Sequence, residues 1–382
     1  MRDVDGNEFI DLLSNFTALV HGHAPDTVVR SLHEQALMGT AFPAPGEAQA
    51  SLAEAIRDRV ASIELMRFTN SGSEAIMMAV RAARSFTGRA AIIKIDGGYH
   101  GSWEQVPMDV GSEASLRGIP DSSLDLLHTV PMNDVQALEN MFALRGSEIA
   151  AFLIEPVMGE GVLVASDDYL AAAKELTEEY GALLVFDEVI SFRLGFGGRQ
   201  GQVGVKPDLT TLGKLIGGGL PVGAFGGRRD VMESFDPTRP GNLEHAGTYN
   251  GNAMTMAAGL ATLDLLSADE IGRINSLGEH FTAELDRLLV QSALDGRATG
   301  CGSLTHVHFE LNSEGMPAKF ADMRLSSPLL KQFHRASLDQ GLFFATRGLM
   351  CMSTAMDEEV VDEMLGAFTL AIEKVEGKVR VG

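Results

Sequence analysis

The stretch ALLVFDEVISFRLGFGGRQGQVGVKPDLTTLGKLIGGGLPVGAFGG, Ala182 to Gly227, decides the fold. Leu183 to Phe186 is too short and too apolar for a surface helix; with Gly181 before it and Asp187 after it, the run reads as a buried strand. A second short run, Asp208 to Leu212, leads to Lys214, and a glycine cluster follows. Ligands gather at such strand ends in open α/β sheets. Asp187 is therefore a candidate to hold a cationic group, and Lys214 a candidate nucleophilic amine.

Outward from this centre, Ala90 to Ile95 and Ile149 to Ile154 read as further buried strands, the latter ending at Glu155-Pro156. Helices are expected at Glu74 to Phe86, Asp168 to Tyr180 and Gly251 to Leu266. Leu52, Ile56, Val60 and Ile63 mark one face of another. Strands alternating with helices predict a mostly parallel, wound α/β sheet. Residues 104 to 128 are too polar and irregular to place and read as loop. Ile271 to Leu294 reads as a long helix broken near Gly278. Ser303 to Leu311, Leu342 to Ala345 and Leu349 to Ser353 read as strands, and Leu329 to Gln340 and Glu358 to Val375 as helices. The division expected is an N-terminal segment of residues 1–50, with a hairpin around Asp5-Gly6-Asn7, that joins a small lobe; a large domain, 51–266; and a small C-terminal α+β domain, 267–382.

A formal charge of −22, from 30 Lys+Arg against 52 Asp+Glu, disfavours nucleic-acid backbones and anionic membranes and favours a small-molecule partner. Two cysteines, Cys301 and Cys351, cannot build a disulfide framework, and no spacing around them suits zinc. No run reaches transmembrane length and no export signal is visible, so a cytoplasmic protein is expected.

An imine-forming lysine must lose its proton, which a confined, desolvated site favours. An aspartate at a buried strand end can hold a protonated aromatic nitrogen and keep the ring an electron sink. Asn70-Ser71-Gly72-Ser73 can present N–H groups and a hydroxyl to a phosphate at a helix start. Each element alone has a plainer reading. Asp187-Glu188 and NSGSE both suit helix caps, and Tyr99-His100 suits a turn. A P-loop fails on order, because Lys214 precedes its glycines. His306 and His308 share one face of an expected strand without a third metal ligand. Lysine, aspartate and phosphate cradle together point to pyridoxal 5'-phosphate.

The residues DVDGNEFID (3–11), GHAP (22–25), RFTNSGSEA (67–75), GGYHG (97–101), IEPV (154–157), LLVFDEV (183–189), PDLTTLGKLIGGGLPVGAFGG (207–227) and GTYNGN (247–252) carry a resemblance over nearly the whole length. The chain resembles a class III aminotransferase of fold type I, in the branch of glutamate-1-semialdehyde aminomutases and β-amino-acid transaminases. The resemblance implies Lys214 as the Schiff-base lysine and Asp187 as the partner of the pyridine nitrogen. It implies Val189 and Tyr99 on opposite ring faces and Gly72 and Ser73 at the phosphate. Thr248 would complete the phosphate site of the neighbouring subunit of a homodimer, and Glu155 and Asn133 would line the pocket.

Two departures bear on substrate. Family members carry several dozen residues before the DVDGN hairpin, including a pocket-closing segment, so part of the pocket is expected to be missing. The aminomutases' Phe-Glu-Ala-Gly segment is replaced by Ala345-Thr346-Arg347-Gly348. Arg347 can hold a substrate carboxylate through two parallel hydrogen bonds. The expectation is an aminotransferase moving an amino group from a carboxylate-bearing donor, such as a β-amino acid, to a 2-keto acid. The alternatives are a glutamate-1-semialdehyde 2,1-aminomutase and an inactive PLP-fold binding protein.

Overall fold

The computed structural model describes residues 1–312, 315–324 and 326–379, with no statement on the side chains of 378 and 379, and the chain divides into two compact units. The larger unit comprises Ala24–Met158 and Ala165–Ser267; the smaller comprises Met1–His23, Gly159–Val164 and Ala268–Gly382.

The larger unit is built on a seven-stranded sheet. Its strands are β1 (Leu65–Thr69), β2 (Ala91–Ile95), β3 (Leu127–Val130), β4 (Ile149–Ile154), β5 (Leu183–Asp187), β6 (Leu209–Gly213) and β7 (Gly223–Gly227). Their spatial order is β1-β7-β6-β5-β4-β2-β3. The run from β6 to β3 is parallel, and β7 lies antiparallel to both of its neighbours. Every residue of β2, β4, β5, β6 and β7 is buried, as expected of strands covered on both faces.

Strand β7 is GAFGG, and glycine is required there by close approach. A Cβ at Gly223 would lie 2.0 Å from Ser71 O, and one at Gly227 would lie 2.1 Å from Asp208 O. Four of the unit's helices are α1 (Asp26–Met38), α2 (Glu47–Arg59), α3 (Gly72–Thr87) and α4 (Val135–Arg145). They continue with α5 (Asp167–Tyr180) and α6 (Ala253–Leu265). Helix α3 lays a stripe of Ala75, Ile76, Ala79, Val80, Ala82 and Ala83 against Ile92, Ala151, Val185, Leu209 and Phe225 of the sheet. Alanines allow that close seating, while full burial of Ile76 and Val80 stabilises by about 2 kcal/mol each.

Three local expectations change. Val60 and Ile63 fall beyond α2, in the turn before β1, although both are buried. The segment expected as loop, 104–128, contains Glu113–Leu116 and Asp121–Leu124 as short helices, and its last two residues begin the edge strand β3, Leu127–Val130. In the smaller unit, α7 (Ala268–Gln291) runs unbroken through Gly278. A Cβ at Gly278 would meet Gly302 O at 2.3 Å, so this glycine admits a neighbouring loop instead of ending the helix.

The smaller unit carries an antiparallel sheet ordered β8 (Gly296–Cys301), β9 (Leu304–Phe309), β10 (Leu349–Cys351). Helices α7, α8 (Pro328–Leu338) and α9 (Glu358–Val379) accompany it. Phe281, Phe309, Phe333, Phe344 and Phe368 join in a chain of ring contacts at its core. The N-terminal hairpin forms through an Arg2–Glu8 bridge, and Ile10–Asp11 pairs in parallel with Leu342–Phe343. Among the described residues no helix is long and apolar enough to cross a membrane.

Candidate active site

The carboxyl end of β5 delivers Asp187, and register places Thr211 of β6 beside it. The carboxylate is 4% exposed. Its Oδ1 accepts from Val189 N (3.1 Å) and Thr211 Oγ1 (3.2 Å), and its Oδ2 faces His100 Nδ1 at 2.8 Å. Burial lowers the His100 pKa against the opposing pull of Asp187, so the neutral ring donates Nδ1–H to the acid. His100 Nε2 is buried and has no hydrogen-bond partner.

Lys214 follows β6 directly, with φ at +52°, a left-handed conformation that a non-glycine residue adopts at a cost of about 1 kcal/mol or more. The turn after it is locked from behind by α6. A Cβ at Gly259 would lie 2.0 Å from Ile216 O, and one at Gly218 would lie 2.5 Å from Ala258 O. The strained lysine is thus held by backbone on backbone.

Helix α3 begins where β1 ends. Ser71 caps it by accepting from Glu74 N at 3.2 Å, and Glu74 returns a carboxylate oxygen to Asn70 N at 2.8 Å. The capping reading of NSGSE is therefore correct, and it leaves the N–H groups of Gly72 and Ser73 at the positive end of a 16-residue helix. Ser73 Oγ accepts from Ser102 N at 3.2 Å. Val189 stands over this helix start: a Cβ on Gly72 would come within 3.1 Å of its side chain, and one on Gly213 within 3.3 Å.

Tyr99 is 47% exposed, and its N–H donates to Glu155 Oε2 at 3.0 Å. Glu188, the second acid of the pair, turns away from Asp187 into the protein. It accepts from Ser191 Oγ, Arg199 N, Gln200 N and Gln200 Nε2, and burial still raises its pKa.

The family model for class-III aminotransferases matches residues 1–375. The chain belongs to this family. The aminotransferase chain is 39% identical over 382 residues to glutamate-1-semialdehyde 2,1-aminomutase of Methanothrix thermoacetophila, covering 97% of this chain and 87% of the relative. An omega-transaminase from Sphaerobacter thermophilus superposes with a TM-score of 0.92 at 38% identity, covering 98% of this chain and 89% of that one. A transaminase with PLP bound gives 0.91 at 36%, covering 99% and 89%. The fold is that of the type I PLP-dependent transferases.

Other residues singled out in the sequence of this class-III aminotransferase make contacts of their own. Asn133, exposed and with φ at +61°, accepts from Ser166 N at 2.8 Å and so ties the loop after β3 to the start of α5. Thr248 is exposed on a loop whose Asn250 accepts from Asn70 Nδ2 at 2.8 Å. Arg347 belongs to the smaller unit and ion-pairs there with Glu160 at 2.5 Å. His306 and His308 stack at 4.5 Å, and His308 Nε2 meets Thr299 Oγ1 at 2.8 Å. Among the described residues no cluster of three or more His, Cys, Asp or Glu suits a metal ion.

Sequence reasoning missed His100, which read as part of a turn. Its only signal is a polar ring placed directly after Tyr99.

Proposed function

We propose that the chain is a pyridoxal-phosphate enzyme that relocates an amino group on a carboxylate-bearing amino compound, and the buried Asp187–His100 pair at the end of β5, next to the strand β6 that leads to Lys214, carries this reading. The residues fit the cofactor. Gly72 and Gly213 let backbone pass close to Val189, where a Cβ would come within 3.1 Å and 3.3 Å of its side chain, and α3 offers free N–H groups to a phosphate. Lys214, Asp187, Val189, Tyr99, Gly72 and Ser73 would hold the cofactor, with Thr248 serving the partner subunit's site in a homodimer. Glu155 acts through the Tyr99 turn, and Asn133 through the neighbouring loop.

Pyridoxal phosphate supplies an electron sink for charge developing at the substrate carbon. Lys214 would supply the amine that holds the cofactor and would take up and return the proton at the substrate carbon. Asp187 would meet the ring nitrogen, and His100, donating to Oδ2, orients its side chain. The carboxyl end of the sheet carries all three groups.

Two reactions share this machinery. Exchange of the amino group within one carbon skeleton, the glutamate-1-semialdehyde 2,1-aminomutase reaction, is the alternative that the 38–40% identical curated relatives support better than intermolecular transfer. Transfer to an external 2-keto acid is the second reading, supported by the transaminase neighbours and by Arg347, whose guanidinium suits a donor carboxylate such as that of a β-amino acid. The family is one of enzymes, which leaves the binding-only alternative without support.

The test is acceptor dependence. The loaded protein is given glutamate-1-semialdehyde alone, then amino donors with and without 2-oxoglutarate or pyruvate. Isomerisation without an acceptor is the expected result; turnover only with a keto acid assigns the second reading. Lys214→Ala is expected to abolish the protein-bound pyridoxal absorbance and turnover in either case. Retention of both would overturn the proposal.

A further inference from the structure

We propose that Lys94 and Glu155 are positioning residues that grip the single peptide unit between Gly98 and Tyr99 from its two ends and so fix where Tyr99 and His100 stand against Asp187. This rests on the function proposed above.

Lys94 is an anomaly in β2. The strand reads Ala-Ile-Ile-Lys-Ile with every residue buried, and the lysine is 0% exposed. An unpaired ammonium there would carry a severe desolvation cost. Its Nζ instead donates to three backbone carbonyls, Ile95 O (2.9 Å), Gly98 O (3.0 Å) and Met108 O (3.2 Å). These carbonyls bracket the turn that leaves the strand.

The Gly98 carbonyl and the Tyr99 N–H belong to one peptide group. Lys94 takes its oxygen, and Glu155, at the end of β4, takes its N–H at 3.0 Å. A cation and an anion thus hold opposite ends of the same dipole, each in its favourable orientation. Gly98 fits between them because it lacks a side chain. A Cβ would come 3.1 Å from Ile95 O and 3.1 Å from His100 Nε2. Two residues on, His100 reaches Asp187, so a tilt of this peptide moves the ring that orients the acid.

The charges facing Lys94 are Asp96, Glu155 and Asp109, together with the His100 ring. Burial pushes the Lys94 ammonium down to about 8 in spite of these carboxylates. Loss of its proton above that pH would leave two N–H donors for three carbonyls, and the Lys94 charge itself helps keep His100 neutral.

The experiment uses the full chain, freed of cofactor and then titrated with pyridoxal phosphate, for wild type, Lys94→Met, Lys94→Gln and Glu155→Leu. Three readouts are taken: the Kd for the cofactor, the pH midpoint of the bound cofactor's absorbance, and the His100 imidazole NMR signal of the cofactor-free protein. Lys94→Met is expected to raise Kd roughly tenfold, shift the midpoint and move the His100 signal. Lys94→Gln, which retains two donors, recovers part of each change, and Glu155→Leu shifts all three in the same direction as Lys94→Met. Folded Lys94→Met with wild-type Kd, midpoint and His100 signal overturns the inference. Should Lys94→Met fail to fold, Lys94→Gln decides by the same readouts. Wild-type protein that takes up no cofactor defeats the proposed function, and the His100 signal still reads the clamp.

Discussion

His100 Nδ1 lies 2.8 Å from Asp187 Oδ2, and both side chains are buried. A neutral imidazole pinned to the acid at a strand end fixes the acid's direction. Replacing His100 with phenylalanine keeps the volume and removes the donor. The expected outcome is a loss on the order of tenfold in kcat with a smaller change in KM, read by steady-state kinetics against His100→Gln as the partly rescuing variant. Equal kinetics in wild type and His100→Phe would remove the orienting role.

Arg347 and Glu160 present a competition. The guanidinium is half exposed and already holds a carboxylate of its own chain. If it serves substrate, Arg347→Ala raises KM for carboxylate-bearing donors by roughly tenfold with little change in kcat, whereas Glu160→Gln lowers KM for the same donors by freeing the arginine. A donor panel run on both variants checks this. Opposite movements of KM support the role, and unchanged KM in both removes it.

Gly278 and Gly272 lie on the same helix, α7, yet should respond in opposite ways to alanine. Nothing lies within 4 Å of a Cβ at Gly272, so Gly272→Ala should stabilise by about 0.5–1 kcal/mol through helix propensity. At Gly278 the new methyl meets Gly302 O at 2.3 Å and Ser303 Cα at 2.8 Å, and a loss of about 2 kcal/mol is expected. Urea denaturation of the pair settles the sign at each position.

His306 and His308 make the fold sensitive to acid. Burial depresses His308 to about 4 and His306 well below its ordinary value. Both are neutral in the folded chain, whereas an unfolded histidine titrates near 6.5 (an ordinary value). As pH falls below about 6.5 the unfolded chain binds protons that the folded chain refuses, so stability is full above that pH and declines toward about 4 for His308. His308 alone should cost roughly 2 kcal/mol at pH 5. His308→Gln, which can still meet Thr299, should flatten the decline between pH 7 and pH 5 in denaturation midpoints. A wild-type slope in that variant would show that the acid sensitivity lies elsewhere.

Much of the large sheet was legible because β2, β4, β5 and β6 are short apolar runs ended by Gly, Asp or Glu, the signature of strands covered on both faces. Strand β7 was not, since Gly-Ala-Phe-Gly-Gly has neither alternation nor β-branched residues. Its glycines answer to Ser71 O and Asp208 O, which are distant in sequence. Strand β3, Leu-His-Thr-Val, is four residues at a sheet edge and half-exposed in its middle, too short for a period to register. The unbroken course of α7 through Gly278 depends on a loop 24 residues further on.

At the site, the placement of Asp187 and Lys214 at the carboxyl ends of β5 and β6 could be read from the sequence. The placement of His100 could not, because its partner is 87 residues away and only the sheet order, β5-β4-β2, brings the turn after β2 to the acid. Asn133, which the resemblance puts in the pocket, accepts from a backbone N–H at the start of α5, a tie that no local window reveals.

The glycine strand β7 also sets terms for anyone who wishes to redesign this protein. With Cβ positions at 223, 226 and 227 lying 2.0 to 2.6 Å from neighbouring backbone, a randomised library spanning that strand would consist chiefly of unfolded members. Diversity is better spent on Ala345 to Arg347, where Ala345 and Gly348 close a short turn and the intervening side chains are exposed. Screening effort belongs at that turn.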